Sequence, residues 1–498
     1  MFNIIKKTAV LFVFVCITVS LIYSCSDNNG SAEDGAVNPQ ENAGGDILQE
    51  DISDSLPGGL DFEGAEIRLM HREEWDLWCY EIAVEGETGD IVNDAVYHRN
   101  KTVEERLNVR IKPIPSPGGY PWLDNDRFND TVRNSVMAGS DDYDIIAGYA
   151  YFMPVLASEG IFYNWNEVSH IKPGEPWWCA GYNDQMTIGG KMYFITGDIA
   201  LSMLTNMFVM YFNKDAALEL ELENLYQTVL NGEFTIDKVS ELIKDAYRDL
   251  NGNSRADADD MYGYITTTGN FVDMFYNAFD QPVIKKNRDG IPQLMMNTQK
   301  MINIIDKIYN FFYENDNVYA ADEGTAGNLL VDTFTENRVL FMPGTLYTNE
   351  ELRAMDSDYG ILPLPKWDKD QADYYTTSQN SYSLFSIPVT CTKIDTVGAA
   401  VEALCAESYR RVSPAYYEIA LKTKYSRDEE TSQMLDLIRA GITFDFGVLN
   451  SISLDNIQNI FRTLMTEKSR DFVSRYEQSE YRYEELLRNL ADEYRNLP

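Results

Sequence analysis

The chain has 498 residues, with 79 acidic against 41 basic side chains and a formal net charge of -38. A field of that sign repels phosphate backbones and anionic lipid surfaces, which excludes nucleic acid as a partner and favours solubility at a cell surface. Hydrophobic residues make up 44% and aromatic residues 12%, enough apolar material for roughly two or three domains at this length.

Reading begins at a charged n-region, Lys6 and Lys7, and an apolar run from Ala9 to Tyr23. The run is short and quickly followed by polar residues, so it reads as a secretory signal over 1–24 rather than a spanning helix. It ends in Leu21-Ile22-Tyr23-Ser24-Cys25. That order resembles a bacterial lipobox, with Tyr23 larger than usual at its position, and it implies lipidation at Cys25. Residues 25–58 then form an acidic tether: beyond Cys25 they hold Asp, Glu, Asn, Gly and Ser and no Lys, Arg or aromatic residue. Such a segment buries too little apolar surface to offset its chain entropy. Lipid, tether and folded body together place the protein on the outer face of the cytoplasmic membrane, anchored to it and not spanning it.

The folded body opens with a strand over Glu66–Met70 and a polar, aromatic segment holding Trp75 and Trp78. Val92, Val96, Val103 and Leu107 recur at helical spacing, and a strand follows from Asn108 to Lys112, before Pro113. Phe128, Val132 and Val136 mark a second helix, and Asp144 to Ala147 a short buried strand. This alternation is that of an open α/β sheet, in which ligands bind at the carboxyl ends of strands. Tyr149 and Tyr151, like Trp75 and Trp78, fall just after strands. Further on, Thr235 can cap a helix carrying Val239, Leu242, Ile243, Ala246 and Leu250, and Met301 to Phe312 make another apolar stripe. Tyr359–Pro363 and Ser383–Pro388 read as strands, Val397 to Leu404 as a helical face, and the last fifty residues as helical throughout.

Five local patterns, in order, resemble the extracellular solute-binding proteins of family 1, the group of the maltose-type binding proteins. They are Gly190-Lys191-Met192-Tyr193 with Gly197-Asp198, Met210-Tyr211-Phe212-Asn213-Lys214, Gly232-Glu233-Phe234-Thr235-Ile236-Asp237, Arg338-Val339-Leu340-Phe341 with Gly344, and Tyr359-Gly360-Ile361-Leu362-Pro363-Leu364-Pro365. The third carries Phe234 where the family has Trp, with Glu233 inserted; the fourth has Asn337 where Gly is common. The resemblance implies a type II, two-lobed α/β periplasmic-binding fold with an interlobe ligand cleft and a helical C-terminal region. It places 59–202 and 362–425 in an N-terminal lobe, and 203–361 and 426–498 in a C-terminal lobe. It also implies a solute, a sugar or oligosaccharide in the first instance, handed to the permease subunits of an ABC importer.

Sugars present flat C–H faces that stack on aromatic rings, so Trp75, Trp78, Tyr149, Tyr151, Trp177, Trp178 and Tyr347, with Asp198, are the candidate ligand residues. Trp177 and Trp178 follow Pro176 and serve equally well as a packing plug. Asp249-Leu250-Asn251-Gly252-Asn253-Ser254 through Asp257 to Asp260 places oxygen side chains at EF-hand ligand positions: Asp249, Asn251, Asn253, Asp257 and Asp260. Ser254 stands where Gly makes the turn and Asp260 replaces the bidentate Glu; the other reading is a polar turn. No cofactor is required, and structural calcium is the one candidate ion. Cys79, Cys179, Cys391 and Cys405 show no metal spacing; Cys405 reads as a packed free thiol, and a Cys79–Cys179 bridge is permitted by export but not implied.

Two rival functions are weighed against binding. A surface-anchored glycoside-acting enzyme needs two correctly separated carboxylates, which any acidic chain can nominate. The three histidines, His71, His98 and His170, form no catalytic or zinc pattern, and Gly189-Gly190-Lys191 lacks the length of a phosphate-binding loop, so the expectation is that the chain is not an enzyme. A surface sensor or adhesin would keep the fold and show an exposed aromatic patch in place of a cleft.

Overall fold

The computed structural model describes residues 53–73, 77, 80–117, 125–417 and 429–497, all within one unit that begins at Ile47. In chain order the principal elements are β1 (Ala65–Arg72), α1 (Ile91–Leu107), β2 (Val109–Ser116), α2 (Asn125–Met137), β3 (Ile145–Tyr149), β4 (Phe208–Asn213), α3 (Ile236–Leu242), β5 (Tyr262–Thr267) and α4 (Asn270–Ala278). There follow β6 (Ile284–Lys286), β7 (Pro292–Leu294), α5 (Gln299–Tyr313), β8 (Val318–Ala321), β9 (Val339–Thr345), β10 (Tyr359–Leu362), β11 (Ser383–Ser386), α6 (Ile394–Glu407), α7 (Glu429–Ala440), α8 (Asn459–Thr466) and α9 (Phe472–Asn496).

Two main sheets result. The first runs β11-β3-β1-β2, with β1, β2 and β3 parallel and β11 antiparallel to β3. The second runs β10-β4-β9-β5-β8, with β9, β5 and β8 parallel and β4 antiparallel to both β9 and β10. β6 and β7 pair as a small hairpin. The chain visits the first sheet, then the second, and returns to the first only for β11, so at least two connections cross between the lobes.

Local chemistry accounts for these elements. The Asp90 carboxylate caps α1 by accepting from Val92 N and Asn93 N, while Asn108 in the left-handed region ends it. Val96, Val103 and Leu107 on its inner face are essentially inaccessible, as the helical spacing requires. Thr298 caps α5 in the same way, and Met301, Ile304, Ile305, Ile308 and Phe312 are buried along it.

Two expectations differ from the structure. β2 runs on through Pro113 and Pro115 to Ser116, which is tolerated because β2 is an edge strand and a missing N–H there breaks no ladder bond on its outer side. The helix capped by Thr235 stops at Leu242 and its stripe is spent at Ala246, leaving Leu250 exposed. Asp245 takes a positive φ of 63°, and the chain then pairs Arg248 with Met261 as an antiparallel bridge. No described helix is long and apolar enough to cross a membrane.

Candidate functional site

The carboxyl end of β1 delivers Arg72 and that of β3 delivers Tyr149, with Tyr151 and Phe152 in the following turn. Arg72 is fully buried, donates through Nη2 to Ser381 O (3.0 Å) and Ser383 Oγ (3.1 Å), and sets its guanidinium 4.9 Å from the Tyr149 ring centre. Ser383 Oγ in turn donates to Glu81 Oε1 (2.5 Å), while Glu81 Oε2 accepts from Ser202 N (2.7 Å). Burial raises the Glu81 carboxyl, against the pull of Ser383, Ser202 and Arg72. Above this network lie three rings in mutual contact: Tyr149 and Phe152 at 5.0 Å, Tyr151 and Phe152 at 4.9 Å, and Tyr149 and Tyr151 at 6.4 Å. This is an aromatic wall on a fixed ionic floor.

Opposite it, β5 ends on Thr266-Thr267, and α4 starts at Asn270 after Thr268 and Gly269. Asp273 on α4 pairs with Arg462 of α8, and Thr466 Oγ1 donates to Thr268 O (3.3 Å). Burial pulls the Arg462 guanidinium down, and Asp273, with Tyr151 and Glu323 near it, more than restores it. Arg462 therefore stands between the first lobe's Tyr151 and the second lobe's carboxylates. Tyr151 Oη also donates to Asn456 Oδ1 (2.6 Å). The carboxyl ends of the parallel strands of both lobes thus face one crevice. Beside it, the second lobe holds a cavity of about 240 Å³ lined by residues including Thr267, Phe271, Glu323, Met342 and Glu351.

The candidate residues divide. Tyr149 and Tyr151 come together on the first wall, and Tyr347 lies half-buried in the turn after β9. Asp198 is turned inward: burial pushes its carboxyl up to about 6 against the Arg439 guanidinium of α7, 3.4 Å away, so it ties segments together and offers no face to a ligand. Trp177 and Trp178 are not a platform. They are 0% and 4% exposed, and their indole N–H groups donate to Glu402 Oε1 (3.1 Å) and Oε2 (2.9 Å) on α6. Apolar faces spent on the core are unavailable for stacking, so the plug reading holds for this pair. Trp75, Trp78 and Cys25 lie outside the described residues. Cys179, Cys391 and Cys405 are free thiols, and Cys405 is buried with its Sγ donating to Trp177 O (3.1 Å); Cys79 lies outside the described residues.

Sequence reasoning missed Arg72, Phe152 and Arg462. Arg72 was legible as the end of β1, two residues past the expected strand. Arg462 carries no local pattern, because its role comes from α8 meeting α4.

The loop 249–260 brings the Asn251 and Asn253 amides to the Asp257 carboxylate, their Nδ2 atoms donating at 3.2 and 2.6 Å. Asp249 accepts from backbone N–H groups of the turn, Gly252 N (2.7 Å) and Ser254 N (2.8 Å). Ser254 adopts φ 60° at the position Gly usually fills. Turning the two amides about would present oxygens toward Asp257 and give a hard-donor set. Asp260 departs from it. It is buried, with Oδ1 accepting from Leu250 N (3.1 Å) and Oδ2 from Tyr247 Oη (3.0 Å), so it braces the loop rather than completing a ligand shell. Among the described residues no group of three or more His, Cys, Asp or Glu is arranged to hold a metal ion.

No family model matches the chain, and no curated protein matches it. Solved structures do. The galacto-N-biose/lacto-N-biose I-binding protein of an ABC transporter from Bifidobacterium longum, in complex with lacto-N-biose, is 11% identical, with a TM-score of 0.56 over 86% of this chain and 98% of that one. A sugar transporter from Rhizobium etli in an open conformation gives 12%, 0.55, 87% and 100%. A cyclo/maltodextrin-binding protein complexed with maltotetraose gives 10%, 0.54, 86% and 96%. The chain has the two-lobed α/β fold of the MalE-type periplasmic binding proteins.

Proposed function

We propose that the protein is the extracellular solute-binding lipoprotein of an ABC importer, of solute-binding family 1, and that its solute is a carbohydrate held between the two lobes. The observation that carries this reading is the crevice itself. An aromatic wall of Tyr149, Tyr151 and Phe152 at the carboxyl end of one sheet faces the Thr268, Asp273 and Arg462 group at the carboxyl end of the other. Aromatic faces stack on the C–H faces of a sugar ring, and the polar wall meets its hydroxyls. The neighbouring structures are described as binding proteins for sugars, which supports the same assignment. Lobe closure around the ligand would then be the signal read by the permease subunits. Cys25 would carry the lipid and hold the protein at the outer face of the membrane.

The test is a thermal-shift series with an oligosaccharide panel, followed by chromatography of the sugars recovered. A ligand present at a hundred times its Kd stabilises by about 2.7 kcal/mol, which raises Tm visibly. Stabilisation with the sugar returned intact is expected; cleavage of the sugar would overturn the reading in favour of a hydrolase.

A further inference from the structure

The 240 Å³ cavity beside the crevice has a chemistry of its own. Its lining holds no Lys, Arg or His, and two carboxylates, Glu323 and Glu351, stand in it. Neither forms an ion pair among the described residues. Three other acids of this lobe are paired, Asp273 with Arg462, Glu336 with Arg338 and Glu350 with Arg353, while others such as Asp306, Asp316 and Asp332 form no ion pair among the described residues. Both carboxylates belong to solvent-exposed residues, and partial burial of the Glu351 carboxyl moves it upward. Deeper in, Thr267 is 5% exposed and its Oγ1 has no partner, and the buried Asn270 Oδ1 has none either. A buried polar atom left unmatched in a cavity calls for a ligand group to match it.

Glu323 lies across the start of α4. Its side chain lies over Gly269, where a Cβ would come within 2.3 Å of Cδ. The absence of a Cβ at Gly269 leaves room for this carboxylate at the start of α4 beside the cavity. The half-buried Phe271 ring adds a π-face.

Two solvent-exposed carboxylates outside any ion pair, one of them within the field of Arg462, join an unmatched amide oxygen, an unmatched hydroxyl and an aromatic face in a surface of acceptors. An ammonium group has three donors and no acceptor, and it gains from a ring face as well. Resting on the carbohydrate reading above, we propose that this cavity is a specificity pocket for a sugar unit bearing a free amine, a hexosamine in its ammonium form. Glu323 and Glu351 would neutralise the charge, and Thr267 and Asn270 would take the remaining donors.

Calorimetry on the lipid-free protein at pH 6 compares three β-1,4 disaccharides: the diglucosamine with free amines, its di-N-acetylated form, and cellobiose. The diglucosamine is expected to bind at least tenfold more tightly than either of the others. Added salt should narrow that ratio, and Glu323→Gln with Glu351→Gln should collapse it toward one. Equal affinity for the charged and neutral sugars, or a preference that survives the double substitution, would overturn the pocket and leave the carbohydrate reading standing. Silence toward all three would likewise overturn the pocket, and the oligosaccharide panel would then decide the carbohydrate reading separately.

Discussion

Replacing Trp178 by Phe separates the structural from the ligand-binding account of the tandem tryptophans. Glu402 is fully buried and holds three donors: Trp177 Nε1, Trp178 Nε1 and Lys172 N. Burial pushes its carboxyl up to about 7, even though those donors pull it down. A folded-state value above the unfolded 4.5 means the native state binds the extra proton, so stability is fully present below about pH 4.5 and is lost as pH rises through 7. The loss amounts to about 3 kcal/mol at 1.36 kcal/mol per unit. Phe keeps most of the ring and deletes the N–H. Losing a hydrogen bond to a charged group costs about 1.5–3 kcal/mol, and the smaller ring adds roughly 1 kcal/mol of lost packing. Trp178→Phe is therefore expected to cost about 3 kcal/mol at pH 8 by urea unfolding, equivalent to roughly 5–10 °C in Tm for a cooperative unit of lobe size. At pH 5, where Glu402 is already protonated, the cost should be smaller, and the Kd for the bound sugar should stay within twofold. A tenfold loss of affinity with unchanged stability would refute the reasoning and return these residues to the ligand site.

Gly197→Ala would bring a Cβ to 2.3 Å from Trp177 O and 2.9 Å from Cys405 Sγ; because the first is backbone, a loss of about 3 kcal/mol or more is expected in urea unfolding. Asp198 and Asp445 are both pushed up to about 6 by burial, the same sign as Glu402, so Tm should fall as pH rises from about 4 to 7, and a rising profile would contradict it. Calcium at the 249–260 loop is a proposal resting on the convergence at Asp257: millimolar Ca²⁺ should raise Tm by a few degrees over a chelator, and Asp257→Asn should abolish the difference.

The amphipathic elements were legible because their patterns are local. The stripe of α5 and the caps at Thr235 and Thr298 follow from spacing and side-chain oxygens alone. Where tertiary pairing decides, the pattern misleads: Leu250 continues a helical stripe on paper, yet the Arg248–Met261 bridge takes the chain elsewhere. The crevice was half legible. Strand-end position pointed to Tyr149 and Tyr151, but nothing near Trp177 and Trp178 announces that Glu402, more than two hundred residues on, will claim both indoles. Arg462 and the cavity carboxylates escape for the same reason, since each acquires its role from an element distant in sequence.

The central claim is a carbohydrate bound in the crevice, and isothermal calorimetry of Tyr149→Ala beside the unaltered protein tests it most directly. The best sugar of the panel should bind the unaltered protein at micromolar Kd or tighter and the variant at least tenfold more weakly, since the ring proposed to meet the sugar also lies against the Arg72 guanidinium. Undiminished binding by Tyr149→Ala would place the sugar elsewhere and contradict the site proposed for it.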